Sequence, residues 1–248
     1  MSEQQVLAAA IEPGNHPEWN VLGLTLNIDT IIATLIASAI VLGLGFFVRA
    51  KATSGVPNGV QLFFETVTKF LRDQVESAVG VRTAPFLVPL SIGLFVFILA
   101  ANWLVVLPLH HIPGLDWGIT PPTADVNLTY ALVAIVFVGW HAAGIRHRRS
   151  VGKHFLHITK GHWAPFAPLW LIEQFFVYPA SLALRLFGNL IAGSIMLSLF
   201  TLLPATISWA PNAAWKLFDM FIGAIQALIF ALMTIIYFSE TLGDEEAH

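Results

Sequence analysis

The sequence has no cysteine among its 248 residues. That excludes a disulfide framework, a thiolate nucleophile and any cysteine-ligated metal. Charge is scarce as well: Asp, Glu, Lys and Arg make up 11% of the chain, where soluble domains carry about 25%. So little charge cannot cover a water-exposed surface, and a soluble enzyme is excluded. The net charge is −3, with 12 Lys and Arg and no uniformly basic face, which excludes a nucleic-acid binder. No GxxxxGKS/T phosphate loop occurs, which argues against a nucleotide site of that type. Lys and Arg are missing from Met1–Asp29, so the first apolar run lacks the basic leader of a cleavable signal. No internal repeat is visible, which weighs against the inverted-repeat transporter folds.

What is present is apolar: 56% of residues, with a mean hydropathy of +0.75. Residues 30–48, 84–109 and 126–145 are charge-free runs. Residues 174–203 contain one charge, Arg185, and 217–239 contain one, Asp219. Each run reaches the roughly 17–25 residues that a bilayer-crossing helix needs. The expectation is an all-α polytopic membrane protein, residues 1–248 forming one integral domain of five spans. Thirty residues at 1.5 Å rise make about 45 Å against a hydrocarbon core of about 30 Å. The span over 174–203 must therefore tilt or bend, between Pro179 and Pro204, into a long hairpin with the last one.

Residues 58–79 have a different texture. Val60, Phe63, Phe64, Val67, Phe70, Leu71, Val75, Ala78 and Val79 recur at helical spacing opposite Glu65, Lys69, Arg72, Asp73 and Glu76. This reads as an amphipathic helix on the membrane surface. A helix packed on the protein's own loops is the alternative. Between the spans, 10 of the 12 basic residues fall in 49–83 and 146–173. The positive-inside rule then places the N-terminus outside and the C-terminus in the cytoplasm.

Ionisable residues inside the membrane mark function. A central arginine costs about 2.5–3.5 kcal/mol on insertion scales, so Arg185 must meet a partner, water or another subunit. Ser181, Arg185, Asn189 and Gly193 are spaced by four, with Gly188 and Ala192 alongside. Together they make a small and polar stripe that lets another helix approach. On the last span, Asp219, Gly223 and Gln226 stand at i, i+4 and i+7, a plausible water-lined proton route, with Tyr237 further along. Structural alternatives exist for each: an Arg185–Asp219 ion pair, a helix–helix hydrogen bond through Asp219 or Gln226, and an ordinary interfacial acid at Glu173. His154 and His157 at i, i+3 lack further ligands for a metal, so no metal or cofactor is expected. A bis-histidine haem site needs histidines within spans, and only His141 falls within one of the runs, which rejects a haem protein of that kind.

Ser181-Leu182-Ala183-Leu184-Arg185-Leu186-Phe187-Gly188-Asn189 resembles the SLxLRLFGN signature of subunit a of the F-type ATP synthase. Residues 226–237, from Gln226-Ala227-Leu228-Ile229-Phe230 to Tyr237, resemble that family's QAFIF…LTxxY run. Pro122-Thr123-Ala124-Asp125-Val126-Asn127 resembles its P-S/T-A-D-x-N loop, and Asn102-Trp103-Leu104 through Pro108 the end of an earlier span. These matches run in family order over roughly residues 60–240. Val56-Pro57 to Phe63 and Trp209-Ala210-Pro211-Asn212-Ala213 look actinobacterial.

The resemblance implies the stator half of a rotary proton channel in a bacterial plasma membrane, not an enzyme by itself. The implied partners are a c-subunit ring, b-type peripheral stalk subunits and lipid, with no nucleic acid and one copy per complex. Arg185 would face the ring carboxylate, keep it ionised and separate two aqueous half-channels. Asn189, Asp219 and Gln226 map to the outer half-channel, with Asp125 and Asn127 at its mouth. Glu173 and Tyr237 map to the inner one. Ser181, Gly188, Ala192, Gly193 and Gly223 would form the face towards the ring. Many members carry a Glu five residues after the motif Asn and a His in the last helix. Here those positions are Ser194 and Asp219, so Asp219 would carry the outer path. The rival class is a proton-coupled secondary transporter, which should show more spans and broken helices.

Overall fold

The computed structural model describes residues 18–21, 24–104, 107, 121–154 and 202–242. Between 180 and 200 it describes 180, 181, 184, 188, 192, 193, 195, 196, 199 and 200. The architecture is helical, with one departure from the all-α expectation. Strands β1 (Glu18–Val21) and β2 (Leu24–Asn27) pair antiparallel, Glu18 opposite Asn27 and Val21 opposite Leu24. Both strands alternate polar and apolar residues, Glu-Trp-Asn-Val and Leu-Thr-Leu-Asn, a period-2 signal too short to stand out before the long apolar run that follows.

Helix α1 runs Ile28–Lys51, with Asp29 in its first turn and Arg49 and Lys51 in its last, each favourable to the helix dipole. It is longer than the run over 30–48, because an apolar count stops at the first charge and a helix does not. Helix α2 is Gly59–Ala78, capped by Asn58, whose side chain accepts from the Gln61 N–H at 2.8 Å. It ends at Gly80, whose φ of 82° lets its N–H return to the Val75 carbonyl at 3.0 Å.

Helix α3, Leu87–Trp103, is apolar all round and runs through the middle of the bundle. It has 17 residues, shorter than the expected 84–109. Before it, residues 81–86 turn, with Thr83 and Ala84 donating to the Gly80 carbonyl. Helix α4, Val126–Arg148, follows a short 3-10 turn at Pro122–Ala124 and is capped by Asp125.

Helix α5, Ala205–Leu242, is the large correction: 38 residues, about 57 Å, where 217–239 was expected. Pro211 lies inside it. Proline removes one helix hydrogen bond and crowds the preceding turn, so its residues read as loop in sequence, yet the helix continues through it. Every described position from 180 to 200 is helical. Residues 202–204 turn the chain back, so that Gly193 meets Asp219 and the Phe200 ring lies 6.2 Å from Trp215. The hairpin expected of the last two spans is therefore present in the described residues.

Among the described residues three helices are long and apolar enough to cross a bilayer: Ile28–Lys51, Asn127–Arg148 and Thr206–Leu242; Leu87–Trp103 is apolar but shorter. The core joins Leu71 and Val75 of α2, Leu94, Phe95 and Ile98 of α3, Val133 and Trp140 of α4, and Phe230 and Phe238 of α5. Helix α2 thus packs its inner edge on the protein's own helices, while Leu62, Phe63 and Phe70 stay exposed. Its apolar stripe is wider than internal packing requires.

Candidate functional site

Asp219, Gly223 and Gln226 share one face of α5, and all three are buried. The reason is local: each meets a neighbour that leaves room for it. The Asp219 carboxylate lies over Gly193, where a Cβ would sit 3.0 Å from Oδ1. At Gly223 a Cβ would sit 3.0 Å from the Asn102 Cβ. Across that close approach Asn102 Nδ2 donates to the Gly223 carbonyl at 3.1 Å. Asn102 Oδ1 accepts from the Thr123 hydroxyl at 2.7 Å, and the Trp103 indole donates to the Met220 carbonyl at 3.0 Å. Gln226 is 5% exposed, and its Nε2 has no hydrogen-bond partner among the described residues. A buried amide donor left unpaired costs about 1–3 kcal/mol.

Asp125 organises the junction between the starts of α1 and α4. Its Oδ2 accepts from Asn27 Nδ2 and from the Thr30 hydroxyl, both at 2.7 Å. Its Oδ1 accepts from the Asn127 N–H at 2.8 Å, which caps α4. Asn27 stands at the N-cap of α1 but makes no cap bond there, because its side chain reaches Asp125. Thr129 ties the backbone together, donating to the Asp125 carbonyl at 3.0 Å and to Thr123 at 3.2 Å. The Asn127 side chain is exposed, and its backbone makes the contact. One polar seam thus runs from the start of α1 through the start of α4 and the end of α3 to Gly223.

The alanine variant Asn102→Ala strands the Thr123 hydroxyl and loosens the α3–α5 crossing. Interhelical bonds of this kind contribute about 1–2 kcal/mol in membranes. The thermal midpoint of the detergent-solubilised protein should fall, and an unchanged midpoint would remove Asn102 from the seam.

The opposite end of the bundle is aromatic. Tyr237 is half-buried, its ring 6.1 Å from Trp140, and Trp140 lies 4.4 Å from His141. Here the structure brings together two histidines, His141 and His154, that the sequence left apart. Among the described residues no group of three metal-ligating side chains forms. His157 lies outside them.

Along 180–200, Ser181, Leu184, Gly188, Ala192, Ile195 and Leu199 are exposed on one helical face. Gly193 turns inward to Asp219, and Gly223 inward to Asn102, so neither lies on that exposed face. Arg185, Asn189, Ser194 and Glu173 lie outside the described residues. Sequence reasoning did not assign Asn27, Thr30, Asn102 or Thr123 to the site. Asn102 could have been found, as an amide inside an apolar run; the hydroxyls carry no such signal.

The model of the ATP synthase A chain family matches residues 31–239. A chain named ATP synthase subunit a from Mycobacterium marinum is 52% identical over 251 residues, covering 99% of both chains. Its namesake in Acidothermus cellulolyticus is 42% identical, over 96% of this chain and 85% of its own. Another from Gloeobacter violaceus is 35% identical, over 98% and 96%. A family match across most of the length, joined to a buried polar seam between apolar helices, identifies the chain as a member of the ATP synthase A chain family.

Proposed function

We propose that this protein is the proton-channel subunit of a bacterial F-type ATP synthase, working in the plasma membrane within a complex and carrying no catalytic site of its own. As the stator, it offers two offset aqueous half-channels to a rotating ring of c subunits, beside a b-type peripheral stalk. The observation that carries this reading is the buried face of α5. Asp219 is held against Gly193, and the unsatisfied Gln226 amide follows on the same face. A carboxylate and an amide sequestered between apolar helices are costly unless they handle a polar cargo.

Orientation enters as part of the same proposal. The ends of α1 and α4 carry Arg49, Lys51, Arg146 and Arg148, and α4 ends beside Thr241, where Arg148 donates to the Thr241 carbonyl. That end faces the cytoplasm by the positive-inside rule. The Asp125 seam, at the other end of α4, then faces outside, and five spans complete the single domain. Helix α2 lies at the cytoplasmic surface, with Leu62, Phe63 and Phe70 towards lipid.

The outer path leads from the Asp125 and Asn127 mouth past Asn102 and Gly223 to Asp219, Gln226, Asn189 and Ser194. The inner path leads past Glu173 and Tyr237. Arg185 divides them: four residues from Ser181 in sequence, it meets the ring carboxylate at a contact face of Ser181, Gly188 and Ala192. A guanidinium keeps that carboxylate ionised and does not give up its own proton. Each charge crossing about 100 mV releases about 2.3 kcal/mol, the source of torque. ATP-driven proton pumping by inverted membrane vesicles, wild type against Arg185→Ala at matched assembly, tests this function.

A further inference from the structure

The cytoplasmic end of the bundle holds a group that the proton path does not use. His141 on α4 and His154 on the chain just beyond it face each other, Nδ1 to Nε2 at 3.0 Å, and both rings are buried. Their meeting is built into the backbone. At Gly144 any side chain would overlap both His154 and Thr241, so glycine opens the notch in which the His154 ring is seated. Thr241 near the end of α5 closes the junction, accepting from the Trp140 indole on its hydroxyl and from Arg148 on its carbonyl. The Trp140 ring lies 4.4 Å from His141 and 6.1 Å from Tyr237. One contact therefore joins α4, the segment leaving it and the last turn of α5.

We propose that His141 and His154 form a proton-sensitive clasp that positions the cytoplasmic end of α5, and with it Tyr237, closed while the two rings share a hydrogen bond and released when both are charged. The chemistry follows from imidazole itself. Two facing nitrogens make a hydrogen bond only when one carries a proton and the other a lone pair. One further proton on the pair leaves that bond intact, because a charged ring still donates to a neutral one. A second sets two N–H donors and two like charges 3.0 Å apart, and the contact becomes repulsive. Among the described residues, the titratable and charged groups on these elements at this end are Arg148 on α4, Tyr237 and the exposed Glu240 on α5, and the exposed Arg149 and Lys153 on the segment itself. Arg148 adds positive charge at the junction and favours release once both rings are charged.

The functional side of this inference rests on the channel reading above; the clasp itself does not. In inverted vesicles the cytoplasmic face is outward, so the medium sets its pH. Wild type and the double variant H141Q/H154Q, whose amides still pair but do not titrate, are compared from about pH 7.5 to about pH 4.5, because the second proton on a pair of like charges binds only below the ordinary imidazole value of about 6.5. The two should pump alike at the upper end, and wild type should fall several-fold relative to the variant at the lower. Superimposed profiles overturn the proposal. Hydrogen exchange on the intact wild-type complex gives an answer that needs no variant and no pumping. The His154 N–H, bonded to the Ser150 carbonyl at 3.1 Å, should lose protection at the lower pH after correction for intrinsic rates. Equal protection at both pH values overturns the clasp. Pumping that survives Arg185→Ala would sink the channel reading while leaving the exchange prediction standing, so the two failures are distinguishable.

Discussion

Arg185→Ala is expected to abolish ATP-driven proton pumping in inverted membrane vesicles while the complex still assembles. The direction follows from the role proposed for the guanidinium at the rotor boundary. On that proposal, alanine leaves the passing carboxylate without a fixed cation to hold it ionised, and leaves nothing electrostatic between the two half-channels. The loss should not be a folding defect. A central arginine costs about 2.5–3.5 kcal/mol on insertion scales, so alanine eases insertion. Arg185→Lys should recover little, because an ammonium in a desolvated setting can release its proton, where a guanidinium does not. Passive proton permeability of the vesicles gives a second reading, and it should rise or stay level as pumping disappears. Normal pumping by the alanine variant would make the arginine structural and return the secondary-transporter reading.

Asp219→Asn carries the second large effect. The substitution keeps size and shape, so the packing over Gly193, where a Cβ would already sit 3.0 Å from Oδ1, is preserved. What it removes is the ability to take and give a proton. Positioned proton-transfer groups contribute about 10²–10⁴-fold to rates, and pumping should fall at least about tenfold with assembly unchanged. A purely structural Asp219, bonding one helix to another, predicts the opposite, since asparagine bonds at least as well. The position resembles one that many family members fill with histidine opposite a glutamate. The paired exchange Ser194→Glu with Asp219→His should therefore pump better than Asp219→His alone. Equal pumping by the two would place the outer relay elsewhere.

Asp125 shows what a motif leaves unsaid about a residue that it places. Its loop resembles the family's, and that resemblance implies a place at a channel mouth. Its carboxylate also accepts from Asn27, Thr30 and the Asn127 N–H, binding the start of α1 to the start of α4. Those contacts span 98 and 95 residues of chain. No window of sequence contains both partners, so no periodicity could announce them.

The sequence by itself determined the membrane class, because composition is a bulk property: 56% apolar residues with 11% charged have nowhere to go but lipid and each other. It also determined the amphipathic helix, found at Gly59–Ala78 against an expected 58–79, since a repeat of 3.6 is written in consecutive residues. The polar face of Asp219, Gly223 and Gln226 was legible for the same reason. Tertiary structure alone decided what those faces meet. It set Gly193 under Asp219, Asn102 against Gly223 and His154 in the notch at Gly144. It also carried α5 through Pro211. A proline's local cost is readable from one residue, but whether the surrounding packing outweighs it depends on neighbours far away in the chain. Glycines in an apolar helix read as weak helix formers; only the helix that crosses them shows that they are the places where polar groups are held.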